Sequence, residues 1–505
     1  MPDLAVATNA TGLRRQAHPR ALDRSLLHGI AWTAAARWAS QVLTWLSWLM
    51  VARLLSPEDY GLVGMAAVYL GLVTLLSEFG LGTAVLAVRE LTPDQLRQLN
   101  GLAVLIGCAG LGASWAAAIP LGRFFDAPQL PLVVVAMSAT FVVSSFKTVP
   151  FALLQRNLRF RALALIDLSQ AVSLAIVMVG FALAGLGYWT LVGGAVLGAL
   201  VSTGAVCRLC RVSLAWPRPR SLKRAMTLSF DVLISRLCWY TSANADFLVA
   251  GKVLGKAALG FYSVGWTLAS VPVDRIAALV AQVTPAIFSA VQEDLPALRR
   301  YVLRITEGIA LITFPLGLGL ALVAGDFVLV VLGPKWEATV PPLRLLAAYA
   351  AVRSIMPLLP QVLQIIGEAR FEMWRMVVAG VVMPATFYLS GQRWGIVGLG
   401  AAWILLDPLI AVPLYRRVFR RIGLSATEYL RALWPALSGT ALMAAAVLAV
   451  QVASGGRGSP GIRLGAQVGA GAISYGLACL VLHRQRLAAF RELVAAARST
   501  REAGV

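Results

Sequence analysis

Residues 51–65 read VARLLSPEDYGLVGM, and 199 positions further on residues 250–264 read AGKVLGKAALGFYSV. The two align without a gap: Arg53 falls opposite Lys252, Leu55 opposite Leu254 and Gly61 opposite Gly260. The apolar runs that precede them carry Arg37 and Arg236 at the same offset. Any two apolar helices align in some register, but a shared arginine inside the run is costly in hydrocarbon and argues for duplication. A second echo lies further along, where LLQRNLRF (153–160) resembles VLQIIGEARF (362–371) with Gln155 opposite Gln364.

Working outward from these segments, the chain divides into about fourteen apolar stretches, near 27–50, 62–86, 99–119, 131–151, 163–185, 188–209, 227–250, 261–284, 303–323, 343–365, 376–391, 395–415, 433–453 and 463–482. Most hold roughly 20 residues, enough to cross ~30 Å of hydrocarbon as a helix. The charge pattern orients them. Connections on the side of the N-terminal tail collect 31 Lys and Arg and those on the opposite side 8, so both termini are expected in the cytoplasm. The net charge of +21 therefore belongs to short loops that set topology and meet anionic lipid, not to nucleic-acid binding. The basic tail before the first run resembles a secretory signal, but that run contains Arg37 and no small-x-small cleavage site, so it reads as a permanent span.

Six spans per repeat send both repeats into the membrane in the same direction, so the expected relation is a two-fold axis along the membrane normal. The expected fold class is thus an all-α integral membrane protein with about 14 transmembrane helices. Two six-helix lobes in parallel repeat surround a central cavity, and two C-terminal helices are added. The expected divisions are a basic tail (1–26), an N-lobe (27–209), a basic linker (210–226), a C-lobe (227–415), the last two spans (433–482) and a cytoplasmic tail (483–505).

Several chemistries are disfavoured. GKVLGKA (251–257) is one residue short of a phosphate loop, and Ala257 stands where Ser or Thr would hold magnesium. The only histidines, His18, His28 and His483, lie near cytoplasmic ends, so no catalytic base is expected outside. CRLC (207–210) has metal-ligand spacing but no second pair of ligands nearby, and no cysteine lies in an outer loop. The longest outer connection, about 325–341, is short for a membrane polymerase or ligase. No enzyme activity and no cofactor are expected.

Three markers carry a family resemblance: RLLSPEDYG after the first span with SEFGLGTAVL (77–86) closing the second, LLQRNLRF after the fourth, and VLGPKWEATVPPLRLLA (331–347) between the ninth and tenth. In order and spacing the chain resembles, over roughly residues 25–420, the polysaccharide flippases of the lipopolysaccharide/O-antigen type. These belong to the multidrug/oligosaccharidyl-lipid/polysaccharide exporter superfamily. The last two spans are similar to its fourteen-span form. The resemblance implies export of undecaprenyl-pyrophosphate-linked oligosaccharide to the outer leaflet before polymerisation, with polysaccharide polymerase machinery as the downstream partner. A lipid II flippase and a multidrug/cation antiporter of the same superfamily are the rival readings, and an integral-membrane glycosyl polymerase a more distant one. An antiporter for cationic drugs calls for an acidic cavity, whereas this chain places arginines within its spans.

Those arginines are the candidate site. Arg37, Arg275 and Arg353 fall near mid-membrane by span arithmetic, with Arg236 somewhat towards the cytoplasm. Each costs on the order of 2.5–3.5 kcal/mol to insert and therefore faces protein or water. A guanidinium fork suits pyrophosphate oxygens; the competing reading pairs each with a carboxylate such as Asp231, Asp246 or Glu78. The seventh span is the most polar, and its Arg236, Asn244 and Asp246 can share a broad face towards the cavity. Asp246, Asp231 and Asp274 are candidates for coupling transport to Na+ or H+. Trp45, Trp48, Trp189, Trp336 and Trp394 are expected as anchors at the outer interface, and Pro272, Pro315 and Asp407-Pro408 mark kinks.

Overall fold

The computed structural model describes residues 38–78, 81–88, 91–218, 240–241, 243–281 and 283–482. Among these, every regular element is a helix. The first half comprises α1 (residues 38–54), α2 (Pro57–Glu78), α3 (Leu81–Ala87), α4 (Pro93–Phe124), α5 (Leu130–Arg156), α6 (Phe160–Leu183) and α7 (Trp189–Leu209). The second half starts with α8 (Ala245–Val249) and a π-helical turn (Ala250–Leu254), then α9 (Gly255–Ala281), α10 (Thr284–Ala290) and α11 (Leu295–Val331). A 3-10 turn (Pro334–Thr339), α12 (Val340–Arg353), α13 (Leu358–Ile365) and α14 (Ala369–Ile422) complete it, and α15 (Ala426–Ser454) and α16 (Pro460–Leu482) close the chain.

Eleven described helices are long and apolar enough to cross a membrane. One of them is two: within α14, Gly395 adopts φ 59° and ψ −144°, a conformation closed to other residues, and reverses the chain between the eleventh and twelfth expected spans. The twelve spans so counted match twelve of the expected fourteen. The other two, the first and the seventh, are described only from residues 38 and 240 onward. The tenth departs from expectation. Rather than one helix over 343–365 it ends at Arg353 and restarts at Leu358, because Pro357 and Pro360 remove the donors a continuous ladder needs.

Both repeat signatures have a structural meaning. In RLLSPEDYG, Ser56 caps α2: its Oγ accepts from the Asp59 amide at 3.2 Å, and the Asp59 carboxylate accepts from the Ser56 amide at 3.0 Å. The second echo is one turn built twice. After α5 the amides of Asn157, Leu158 and Arg159 donate to Leu153, Gln155 and Leu154. After α13 those of Ile366, Gly367 and Glu368 donate to Val362, Gln364 and Leu363. Both are Schellman-type ends, and the residue in the left-handed region is Leu158 (φ 52°) in one and Gly367 (φ 83°) in the other.

The apolar cores decide how the halves meet. One core draws on both, from Val51, Leu55, Tyr60 and Leu130 in the first half to Leu259, Tyr262, Trp336 and Trp403 in the second. It lies at the end that the charge count assigns to the outside, called the outer end below. At the inner end the cores separate. Leu81, Leu99 and Val149 form one, Leu154, Leu163 and Val206 another, and Phe288, Val302, Leu359, Val418 and Tyr429 a third that belongs to the second half and α15. Among the described residues, the halves are joined outside and packed in separate cores inside.

Candidate functional site

The outer seam is built from repeat-equivalent contacts. A Cβ placed on Gly61 would sit 1.6 Å from the carbonyl oxygen of Lys256, and one on Gly260 would sit 1.8 Å from the carbonyl oxygen of Pro57. Both pairs carry the 199-residue offset, so α2 and α9 cross at matched glycines with their backbones in contact. The neighbouring contacts reciprocate too. Arg53 of α1 donates to the Val330 carbonyl at the end of α11 (3.3 Å), while its equivalent Lys252 reaches back to Asp126 after α4 (2.9 Å). Trp336 donates its indole N–H to the Ala52 carbonyl at 2.8 Å, and Phe125 packs where a Cβ on the equivalent Gly251 would lie 2.9 Å away. Trp336 is 0% exposed and stacked edge-on against Tyr60 and Phe261. It is therefore not the interfacial anchor expected from the sequence: an indole has an apolar body and one N–H, and here both are satisfied inside the seam. Trp394, at 64% exposed, does have the exposure of an anchor. Further in, the Tyr240 hydroxyl donates to the Val68 carbonyl at 2.9 Å, beside Gly71.

Beyond that level lie the charges. Asp274 and Arg275 are the twentieth and twenty-first residues of the 27-residue α9, about 28–30 Å along it at 1.5 Å per residue. They therefore sit towards the inner end rather than at mid-membrane. Arg353, where α12 stops, donates to Asp274 at 2.5 Å and lies over Trp266 with its guanidinium carbon 5.2 Å from the ring centroid. The structure thus brings two candidates from different lists into one ion pair, 27% and 53% exposed. Arg275 is exposed and has no ion pair among the described residues. Arg37, Arg236 and Asp231 lie outside the described residues.

Asp246 forms a different arrangement. Its carboxylate is 0% exposed, and Oδ2 accepts from the Tyr262 hydroxyl (2.6 Å) and the Trp403 indole (2.8 Å). Among the described residues Oδ1 has no hydrogen-bond partner, and no arginine joins Asp246. Immediately after it the chain makes the π-helical turn 250–254, a distortion frequent at functional sites. Asn244 turns its amide back onto the Tyr240 carbonyl at 2.9 Å rather than joining Asp246.

Sequence reasoning passed over three groups. Asp407, noted only for the proline after it, accepts from the Tyr349 hydroxyl at 2.7 Å, and Tyr349 stacks on Trp403, so a second carboxylate adjoins the Asp246 cluster. Glu372 and Arg375 form a nearly buried pair one turn apart on α14; their i,i+3 spacing was the available signal. Lys147, counted with the inner loops, lies within α5 and donates to Ser202 of α7 at 2.6 Å. Among the described residues no group of three His, Cys, Asp or Glu side chains is placed to hold a metal.

Comparison with known proteins fits this architecture. The chain is 25% identical over 431 residues to the lipopolysaccharide biosynthesis protein WzxC of Escherichia coli (strain K12), covering 82% of this chain and 85% of that one. Its fold superposes on the lipid II flippase MurJ in an inward closed conformation with a TM-score of 0.74 at 11% identity, covering 90% of this chain and all of the other. It also superposes on an inward-facing multidrug resistance MATE family transporter of the MOP superfamily, with a TM-score of 0.60 at 14% identity over 76% and 94% of the two chains. At 11% and 14% identity both likenesses bear on the fold alone. The profile of one family, described as polysaccharide biosynthesis protein, matches residues 50–341, more than half of the 505, and the chain belongs to that family.

Proposed function

We propose that the protein is a flippase for undecaprenyl-pyrophosphate-linked oligosaccharide in the bacterial inner membrane, serving lipopolysaccharide or exopolysaccharide biosynthesis by alternating access. One observation carries the mechanism: among the described residues the halves share a single core and matched backbone contacts at the outer end but form separate cores at the inner end. With both termini in the cytoplasm, that arrangement is the inward-facing state, closed outside by the crossing of α2 and α9. Parting Gly61 from Lys256 and Gly260 from Pro57, while the inner ends meet, gives the alternate state.

The inner mouth is where the cargo's head group enters, and pyrophosphate calls for unpaired cationic forks. Arg275 supplies one. Arg37 and Arg236, at matched positions of the first and seventh spans, supply two more, and Arg353 is held ready by Asp274 and the Trp266 face. Asp246, with one oxygen unused in a buried aromatic cage, is the place for H+ or Na+ to couple transport to a gradient.

The test is export in cells lacking the gene. Complementation by the wild type should restore surface polysaccharide. Arg275→Gln should lower it several-fold, with undecaprenyl-pyrophosphate-linked oligosaccharide accumulating on the cytoplasmic side and protein level unchanged, while Lys should rescue only in part. Full export by an Arg37→Gln, Arg236→Gln, Arg275→Gln triple variant would sink the assignment.

A further inference from the structure

A second polar site lies far from the inner mouth, between the second half and the C-terminal helix pair. At the outer ends of α11, α12, α15 and α16 there is a cavity of about 260 Å³, lined by Asp326, Arg344, Gln451, Ser454, Arg463 and Gln467 among others. At roughly 30 Å³ per water, that is room for about eight waters or for one lipid head group. Its wall is built. Asp326 accepts from Arg463 at 2.5 and 3.2 Å and from Gln467 at 2.7 Å. Arg463 also donates to the Gly456 carbonyl at 2.8 Å, and Gln451 to the Leu322 carbonyl at 3.0 Å. These bonds engage Arg463, Gln467 and Gln451 with the protein itself. Arg344, five residues into α12, is left over: it lines the same cavity and has no acceptor among the described residues. Two arginines against one aspartate leave the cavity with a net charge of +1.

We propose that this cavity binds the phosphodiester group of a phospholipid in the outer leaflet, with the Arg344 guanidinium as its principal donor. Depth favours a lipid over a dissolved anion. Arg344, Asp326 and Arg463 lie about 4–8 Å from the outer ends of their helices at 1.5 Å per residue, the level of the head groups. Beside the cavity's own residues, Val452 and Ile462 are 81% and 72% exposed, an apolar rim that suits acyl chains. A monoanionic phosphodiester matches the +1 charge, and a guanidinium fork engages two of its oxygens. A lipid seated there would tie the C-terminal pair to the moving half on the side that opens.

The experiment uses the purified full chain in detergent, titrated with dioleoylphosphatidylglycerol and followed by native mass spectrometry. The wild type should retain one tightly held lipid. Arg344→Gln should weaken that binding about tenfold or more, and Arg344→Lys less, each variant keeping the lipid-free unfolding temperature of the wild type. Ser454→Trp, which fills the mouth of the cavity, should give the same loss without touching the charge. Undiminished retention by Arg344→Gln, or by Ser454→Trp, overturns the proposal. So does displacement of the lipid by millimolar inorganic phosphate, which would make the site a receptor for a soluble anion.

Discussion

Replacing Gly61 by alanine attacks the outer closure at its tightest point. The added methyl would lie 1.6 Å from the Lys256 carbonyl oxygen and 2.5 Å from its carbon. Non-bonded contact needs about 3.5 Å, so α2 and α9 must part by about 2 Å at the crossing. The obstacle is backbone, so no rotamer change relieves it. Overpacking of this kind costs about 1–3 kcal/mol, partly offset by the better helix propensity of alanine. If that cost falls on the outward-closed state alone, the balance between closed and open shifts by about 5- to 150-fold. The assay is access to a cysteine at position 52, which is 0% exposed beneath Trp336. The five native cysteines are replaced first. In intact cells an impermeant maleimide should label Ala52→Cys slowly with Gly61 present and at least several-fold faster with Gly61→Ala. Gly260→Ala should behave alike because the contact is reciprocal. Unchanged labelling in both backgrounds would refute the idea that this crossing holds the outer side shut.

For topology, a cysteine replacing the exposed Glu337 should react with an impermeant reagent in intact cells and one replacing the exposed Thr427 should not; the reverse result would invert the molecule. Leu158, left-handed and 68% exposed, occupies the place of Gly367 in the twin turn, so Leu158→Gly should be neutral to stabilising by up to about 1 kcal/mol in thermal unfolding, and a clear loss would contradict the strain. Glu368, in the connection before α14, is held below the usual carboxylate value by a hydrogen bond from Arg417 first, with Arg421 adding to it. A depressed carboxylate stabilises the fold above its unfolded value of about 4.5 and loses that contribution as pH falls through the folded value. The unfolding temperature of the wild type should therefore drop below pH 4.5 more steeply than that of Glu368→Gln, and parallel curves would deny the linkage. Asp246→Asn, which keeps the shape but not the exchangeable charge, should uncouple export from the ion gradient while leaving the protein folded; gradient-dependent export by this variant would remove Asp246 from coupling.

What the sequence disclosed was whatever repeats or runs long. The spans follow from apolar length, and the twin turns were visible because Gln155 and Gln364 hold the same place in the same hydrogen-bond pattern. Gly61 and Gly260 were seen to match, but nothing in a linear pattern says that matched residues touch each other's neighbours across an axis. Trp336 was misplaced because an indole is equally suited to a lipid interface and to a seam. The partners of Asp246, at positions 262 and 403, were invisible because aromatic donors in apolar spans read as ordinary core. The inner position of Arg275 was missed because α9 begins at 255, six residues before its apolar run suggested.

The crossing of α2 and α9 has the form of a homodimer contact written into one chain, and this frees it from a constraint that real dimers obey. In a symmetric dimer every substitution at the axis lands twice; here it lands once, and the two edges have drifted apart. One edge is held by exposed ion pairs, Lys252 with Asp126 and Lys256 with Glu58. The other is held by Arg53 and Trp336 donating to main-chain carbonyls. Ion pairs so placed contribute about 0–1 kcal/mol each and fade with salt, whereas a buried indole bond does not. Salt therefore loosens one edge before the other. In the alternating access proposed above, the duplicated lobes would part like a door with a hinge, from the charged edge towards the aromatic one.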